Sequence, residues 1–172
     1  MTPIAEFEAL FRTYQQPITA YLNHVLGSPE RAEELAQEAF LRAYRAMLGG
    51  AQVAYPKAWL YRIATNVARD HLRRARLFEW LPWWDAEREP ALCTPDTADA
   101  IGEQLIVRAA LARLEPAYRV PLVLHLCEDL TTAEISEVLG IRQGAVKMRL
   151  ARARRQFQRA FRSLSGQESD EV

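Results

Sequence analysis

Leu130 to Arg155 reads LTTAEISEVLGIRQGAVKMRLARARR. Thr131 or Thr132 can cap a short helix holding Ala133, Glu134, Ile135, Val138 and Leu139, because a threonine oxygen accepts from an otherwise orphaned N–H of the first turn. Gly140 supplies a sharp turn, and a second helix follows from about Gln143. Ala133 is small where the two helices of such a unit approach closely, while Ile135, Leu139, Ile141, Val146 and Leu150 form its apolar interior. The spacing therefore predicts a helix-turn-helix.

The second helix and the turn before it carry Arg142, Lys147, Arg149, Arg152, Arg154 and Arg155, and from Arg142 to Arg162 there are eight basic residues and no acid. A helix with that face can enter the major groove of DNA, where Arg and Lys read guanine edges or clamp phosphates. The plainer reading is a solvated basic helix; the cap, the glycine turn and the basic face in one register argue against it.

Away from this segment the helical period continues and strand alternation is absent. Ile4, Phe7, Phe11, Tyr14, Ile18, Tyr21, Leu22 and Val25 recur at helical spacing, with Pro17 expected to divide them into two helices. Ser28 and Pro29 open a helix with the apolar face Ala32, Leu35, Ala36, Ala39, Phe40, Ala43, Tyr44 and Met47, stopped by Gly49 and Gly50. From Pro56 another helix buries Leu60, Ile63, Ala64 and Val67 and sets Arg62, Asn66, Arg69 and Arg73 on one face, beside a glycine-containing loop, 48–55, that holds Tyr55. A cationic helical track next to an aromatic loop suits single-stranded DNA, whose phosphates need cations and whose unstacked bases need π-faces or fitted pockets. Trp59 flanks the apolar stripe and is read as core rather than as a base-stacking ring, although it and Tyr61 are the aromatic residues nearest that loop.

The expected fold is all-α, with two small helical domains joined by a linker. Residues 1–76 form the first domain, 77–100 an acidic linker containing Pro82, Pro90, Pro95, Trp80, Trp83 and Trp84, 101–164 the second domain, and 165–172 an acidic tail. Charge follows the same division. Although 22 Lys+Arg balance 22 Asp+Glu over 172 residues, both domains are net basic and the linker and tail are net acidic, which points to a polyanion as partner. No apolar run is long enough to span a membrane and no secretory signal opens the chain, so a cytoplasmic protein is expected. Cys93 and Cys127 lack a partner pattern, and His24, His71 and His125 are scattered; neither a metal site, a cofactor nor an enzyme is indicated.

AEELAQEAFLRAYR (Ala32–Arg45) followed by AWLYRIATNVARDHLRR (Ala58–Arg74) resembles region 2 of bacterial RNA polymerase sigma factors. LEPAYRVPLVLHL and the helix-turn-helix after it resemble region 4, and the pair on so short a chain resembles the extracytoplasmic-function (ECF) subfamily. The resemblance implies a factor that binds core RNA polymerase, recognises the minus-10 and minus-35 promoter elements, and helps open DNA. It places Glu34, Gln37, Glu38, Arg42 and Arg45 against the β′ coiled coil, although Glu38 and Arg42 can also form a helix-stabilising pair worth ~0.3–0.5 kcal/mol. It assigns a flipped minus-10 base to Tyr55, Arg62, Asn66, Arg69 and Arg73, and the minus-35 element to Arg142, Gln143, Gly144, Lys147, Met148, Ala151, Arg152 and Arg154. Met148 and Ala145 replace hydroxyl residues common in the family, which alters the hydrogen bonds available for readout. Region 4 would meet the β flap, and an anti-sigma factor is a further implied partner. The competing class is a stand-alone helix-turn-helix regulator, from which the polymerase-binding pattern of the first domain separates it.

Overall fold

The computed structural model describes residues 3–78 and 98–166, and every regular element among them is an α-helix. In chain order these are α1 (Pro3–Leu26), α2 (Pro29–Leu48), α3 (Pro56–Phe78), α4 (Ala98–Ala112), α5 (Pro116–Leu126), α6 (Thr132–Leu139) and α7 (Gln143–Leu164). The expected linker tryptophans, its prolines and the tail from residue 167 onward lie outside the described residues.

Local chemistry sets most helix ends. Ser28 accepts from Arg31 N at 3.4 Å, with Pro29 at the first helical position of α2, where its missing N–H costs nothing. Pro56 and Pro116 open α3 and α5 in the same way. Gly140 stops α6 at φ 65°, ψ 35°, a left-handed conformation that costs a side-chain-bearing residue about 1–2 kcal/mol. Pro17, expected to break the first helix, sits inside a continuous α1. It removes one N–H···O bond, at about 3 kcal/mol, but Ile18, Tyr21, Leu22 and Val25 beyond it are all fully buried. At about 1.5–3 kcal/mol for each large apolar side chain, their packing outweighs the loss.

α1, α2 and α3 form the first lobe. Ala32, Ala36, Ala39 and Ala43 line the buried side of α2, so that helix backbones approach closely. Larger rings fill the end of the lobe, with Phe7 4.9 Å from Tyr44 and Phe11 4.9 Å from Phe40. α4 to α7 form the second lobe around Leu114, Leu122, Leu124, Leu130, Ile135 and Val146. Ala133, expected at the close approach of α6 and α7, is exposed; the buried residues of the two helices are Ile135, Val138 and Leu139 on the other side of α6 and Val146 and Leu150 on α7. The lobes pack together through α1 against α4 and α5 and through α3 against α6.

Candidate nucleic-acid interface

The helix-turn-helix is held by local hydrogen bonds that aim α7. Thr131 Oγ1 accepts from Glu134 N at 3.2 Å, and the Glu134 carboxylate accepts from Thr131 N at 2.8 Å, completing a capping box. These bonds, with a further one from the Thr131 hydroxyl at 2.7 Å, hold the Glu134 carboxyl below the usual carboxylate range. Across the turn Ser136 Oγ donates to Ile141 O at 2.6 Å and Gln143 Nε2 to Thr132 Oγ1 at 2.8 Å.

Val146, Leu150, Ala153 and Ala160 anchor the buried side of α7. All eight expected minus-35 residues, Arg142, Gln143, Gly144, Lys147, Met148, Ala151, Arg152 and Arg154, are exposed. They divide by commitment. The Gln143 amide already bonds Thr132, and an Arg152 Nη1 reaches the Tyr118 hydroxyl only at 3.5 Å. Among the described residues no cation of α7 forms an ion pair, so the face stays positive against them. Met148 is 60% exposed, an apolar surface in the middle of that face.

The rotation of α3 is fixed from inside the first lobe. Thr65 is fully buried; its hydroxyl donates to Tyr61 O at 2.6 Å and lies 2.8 Å from the Tyr21 hydroxyl. Arg62, Asn66, Arg69 and Arg73 lie on the side of α3 away from this buried stripe, and all are exposed, as is Tyr55 at 74%. Val53, Tyr55, Trp59 and Arg62 line a cavity of about 190 Å³ at the loop before α3. Trp59, read as core, is half-buried and serves both sides, packing on the core and lining this cavity. Tyr61 is wholly core. Arg73 pairs with Asp70 at 3.3 Å, and Arg69 Nη2 turns toward α6, donating to Leu139 O at 3.4 Å.

On α2, Glu34, Gln37 and Arg45 are exposed, whereas Glu38 and Arg42 are half-buried and paired at 2.8 Å. Arg42 also lies 3.7 Å from Asp70 of α3, so the pair belongs to a small network bridging two helices. Glu34 is held by Arg31 at 2.6 Å.

The sequence reading missed several residues that join the lobes. Lys57 Nζ donates to Glu128 O at 2.6 Å, and the Tyr61 hydroxyl donates to the Glu128 carboxylate. Burial pushes both the Tyr61 phenol and the Glu128 carboxyl above their usual ranges. Glu137 of α6 completes the lining of the cavity beside Arg62. Arg119 donates to Val25 O at 2.7 Å, to Ala112 O at 2.8 Å and to Leu114 O at 2.7 Å, gathering carbonyls left over at the ends of α1 and α4. Arg119 carried a legible signal, as the lone arginine in an otherwise apolar PAYRVPLVLHL helix. Glu128 and Glu137 carried none.

Residues 10–78 match the Sigma-70 region 2 family and residues 104–157 the Sigma-70 region 4 family. Over 147 residues the chain is 31% identical to the ECF RNA polymerase sigma factor SigL of Mycobacterium tuberculosis, spanning 85% of this chain and 83% of that protein. The chain belongs to the ECF sigma factors. SigW of Bacillus subtilis is 31% identical to this sigma factor over 168 residues, covering 92% of this chain and 90% of SigW. Among solved structures, RpoE of Bartonella quintana, in complex with the anti-sigma factor NepR, shares the fold at a TM-score of 0.75 and 19% identity, over 91% of this chain and 97% of that one. The ECF sigma factor SigJ of Mycobacterium tuberculosis aligns at a TM-score of 0.58 and 27% identity, over 89% of this chain and 52% of SigJ. Membership places this sigma factor in a family of non-enzymatic regulators with a role in transcription initiation. Among its described residues no helix is long and apolar enough to cross a membrane.

Proposed function

We propose that this sigma factor binds core RNA polymerase, directs it to promoters through separate minus-10 and minus-35 contacts, and assists DNA opening without covalent chemistry of its own. The observation that carries the reading is the cationic α7 face, with no ion pair among the described residues, presented by a capped helix and a left-handed glycine turn in a chain of this family. Lys147 and Arg152 read base edges or phosphates at minus-35, flanked by Arg142, Gln143, Gly144, Met148, Ala151 and Arg154. Exposing a base costs a few kcal/mol, and the cavity beside Tyr55 and Trp59, with Arg62, Asn66, Arg69 and Arg73 on the phosphates, offsets that by capture. The α2 face of Glu34, Gln37, Glu38, Arg42 and Arg45 meets the β′ coiled coil, and the second lobe the β flap. Residues 1–76 and 101–164 are the functional domains. RpoE, a sigma factor of the same fold solved with the anti-sigma factor NepR, supports an anti-sigma factor as a further partner.

Polymerase association and DNA reading are separable by mutation. Glu38→Lys reverses a charge on the α2 face and should abolish co-elution with core enzyme while the helical circular dichroism signal is kept. Arg152→Ala should weaken binding of the holoenzyme to its promoter by ~1–3 kcal/mol and relax preference at one minus-35 position. Normal co-elution of the first variant, with unchanged promoter binding by the second, would overturn the assignments.

A further inference from the structure

Where the lobes pack, α3, α5, the end of α6 and α7 surround a cavity of about 200 Å³ that belongs to neither lobe alone. Its wall is largely apolar: Ala68 and Leu72 come from α3, Val120 and Pro121 from α5, and Leu139 from α6. Two cations also line it, Arg69 of α3 and Arg149 of α7, and among the described residues no acid does. The sequence groups Arg149 with the basic face of α7, but its half-buried side chain lies where that helix meets α3 and α5. Both guanidinium groups keep unused donors. Among the described residues neither forms an ion pair, Arg149 makes no hydrogen bond, and Arg69 makes one, long at 3.4 Å, to Leu139 O. The Thr65 hydroxyl, also in the lining, gives its hydrogen to Tyr61 O and has none to offer an incoming group.

From this arrangement we propose that the cavity binds a small carboxylate with an apolar body, the carboxylate on Arg149 and Arg69 and the body on the wall of Ala68, Leu72, Val120 and Pro121. Size sets the upper limit. An apolar cavity of about 150 Å³ accepts benzene, so this one has room for a single substituted ring. Chemistry sets the class. A guanidinium fork donates two parallel bonds to a carboxylate, and beside an apolar wall the attraction is screened less than in water. A wholly polar anion would leave the wall facing water, and a neutral ring would leave both cations without a counter-charge. Water against such a wall finds few partners, so its displacement by the ring favours binding. Because both lobes supply the lining, a bound carboxylate favours their packed arrangement over any in which they part. None of this depends on promoter recognition. Arg69 also belongs to the proposed minus-10 set, so the variants below leave it intact.

The test uses the full chain and 4-ethylbenzoate as probe, by isothermal titration calorimetry at fixed pH and salt. Wild type should bind one equivalent with a dissociation constant below about 1 mM, and the probe should raise the melting temperature in a concentration-dependent way. Arg149→Met keeps the side-chain length without the charge and should weaken binding at least ten-fold. Ala117→Leu, at an exposed helical position that lines the same cavity, should weaken it as much by filling the space, and it carries the test if Arg149→Met does not fold. The neutral analogue 4-ethylbenzyl alcohol should bind wild type at least ten-fold more weakly than the acid. Arg159→Met, an exposed α7 cation outside the cavity, should bind the probe as wild type does. No saturable binding by wild type, equal binding of acid and alcohol, undiminished binding by folded Arg149→Met or by Ala117→Leu, or a loss in Arg159→Met that matches theirs would each overturn the proposal.

Discussion

Thr65 has one hydroxyl hydrogen, and at 2.6 Å it is given to Tyr61 O. The Tyr21 hydroxyl, 2.8 Å away, must therefore be the donor to Thr65 Oγ1. That assignment makes the two sides of the bond unequal. Thr65→Val keeps the shape but leaves the Tyr21 O–H, in a fully buried residue, with no acceptor, at a cost of about 1–3 kcal/mol. Tyr21→Phe removes the donor and leaves Thr65 still bonded to Tyr61 O, so the loss is that of one net hydrogen bond, about 0.5–1.5 kcal/mol. The double variant replaces the pair by apolar groups and should cost less than the sum of the singles by about 1 kcal/mol or more. Urea unfolding followed by far-UV circular dichroism, with matched m-values, measures all three. A Thr65→Val variant no worse than Tyr21→Phe, or a double variant equal to the sum, would refute the donor assignment.

Other expectations follow from single features. Gly140→Ala meets no atom within 4 Å of its new Cβ, so only the backbone at φ +65° is strained; the loss should be about 1–2 kcal/mol in thermal melts, and smaller for Gly140→Asn. Arg119→Ala frees carbonyls at the ends of α1 and α4 and should cost about 2 kcal/mol or more, with Arg119→Lys only partly restoring stability because an ammonium lacks the guanidinium fork. The Glu134 carboxyl is depressed in the folded state, so its contribution is present above the unfolded carboxyl value, about pH 4.3, and disappears as pH falls through the lower folded value. The gap in melting temperature between wild type and Glu134→Gln should accordingly be open at pH 6 and close on acidification; a gap independent of pH would contradict it.

What could be read from the sequence was whatever is written locally. The capping box, the Gly140 turn and the α7 period lie within one short segment, and each residue's role follows from its neighbours. The outward face of Arg62, Asn66, Arg69 and Arg73 needed only the helical repeat. Pro17 misled because its intrinsic cost is local whereas the burial that overrides it comes from α2 and α3. Ala133 misled because small size marks a close approach only when the residue faces the partner helix, and the phase of α6 turns it to solvent. The Tyr61–Glu128 bond joins residues 67 positions apart, and no periodicity announces such a contact.

The claim on which the rest depends is that this chain selects where transcription starts. Sequencing the 5′ ends of RNA made by core polymerase from a pooled promoter library, with and without the purified sigma factor, measures that selection directly. The account predicts that adding the chain produces a new set of discrete starts, each at a fixed distance downstream of two shared motifs, and that Arg152→Ala blurs only the upstream one. Identical start sites in both reactions would contradict it.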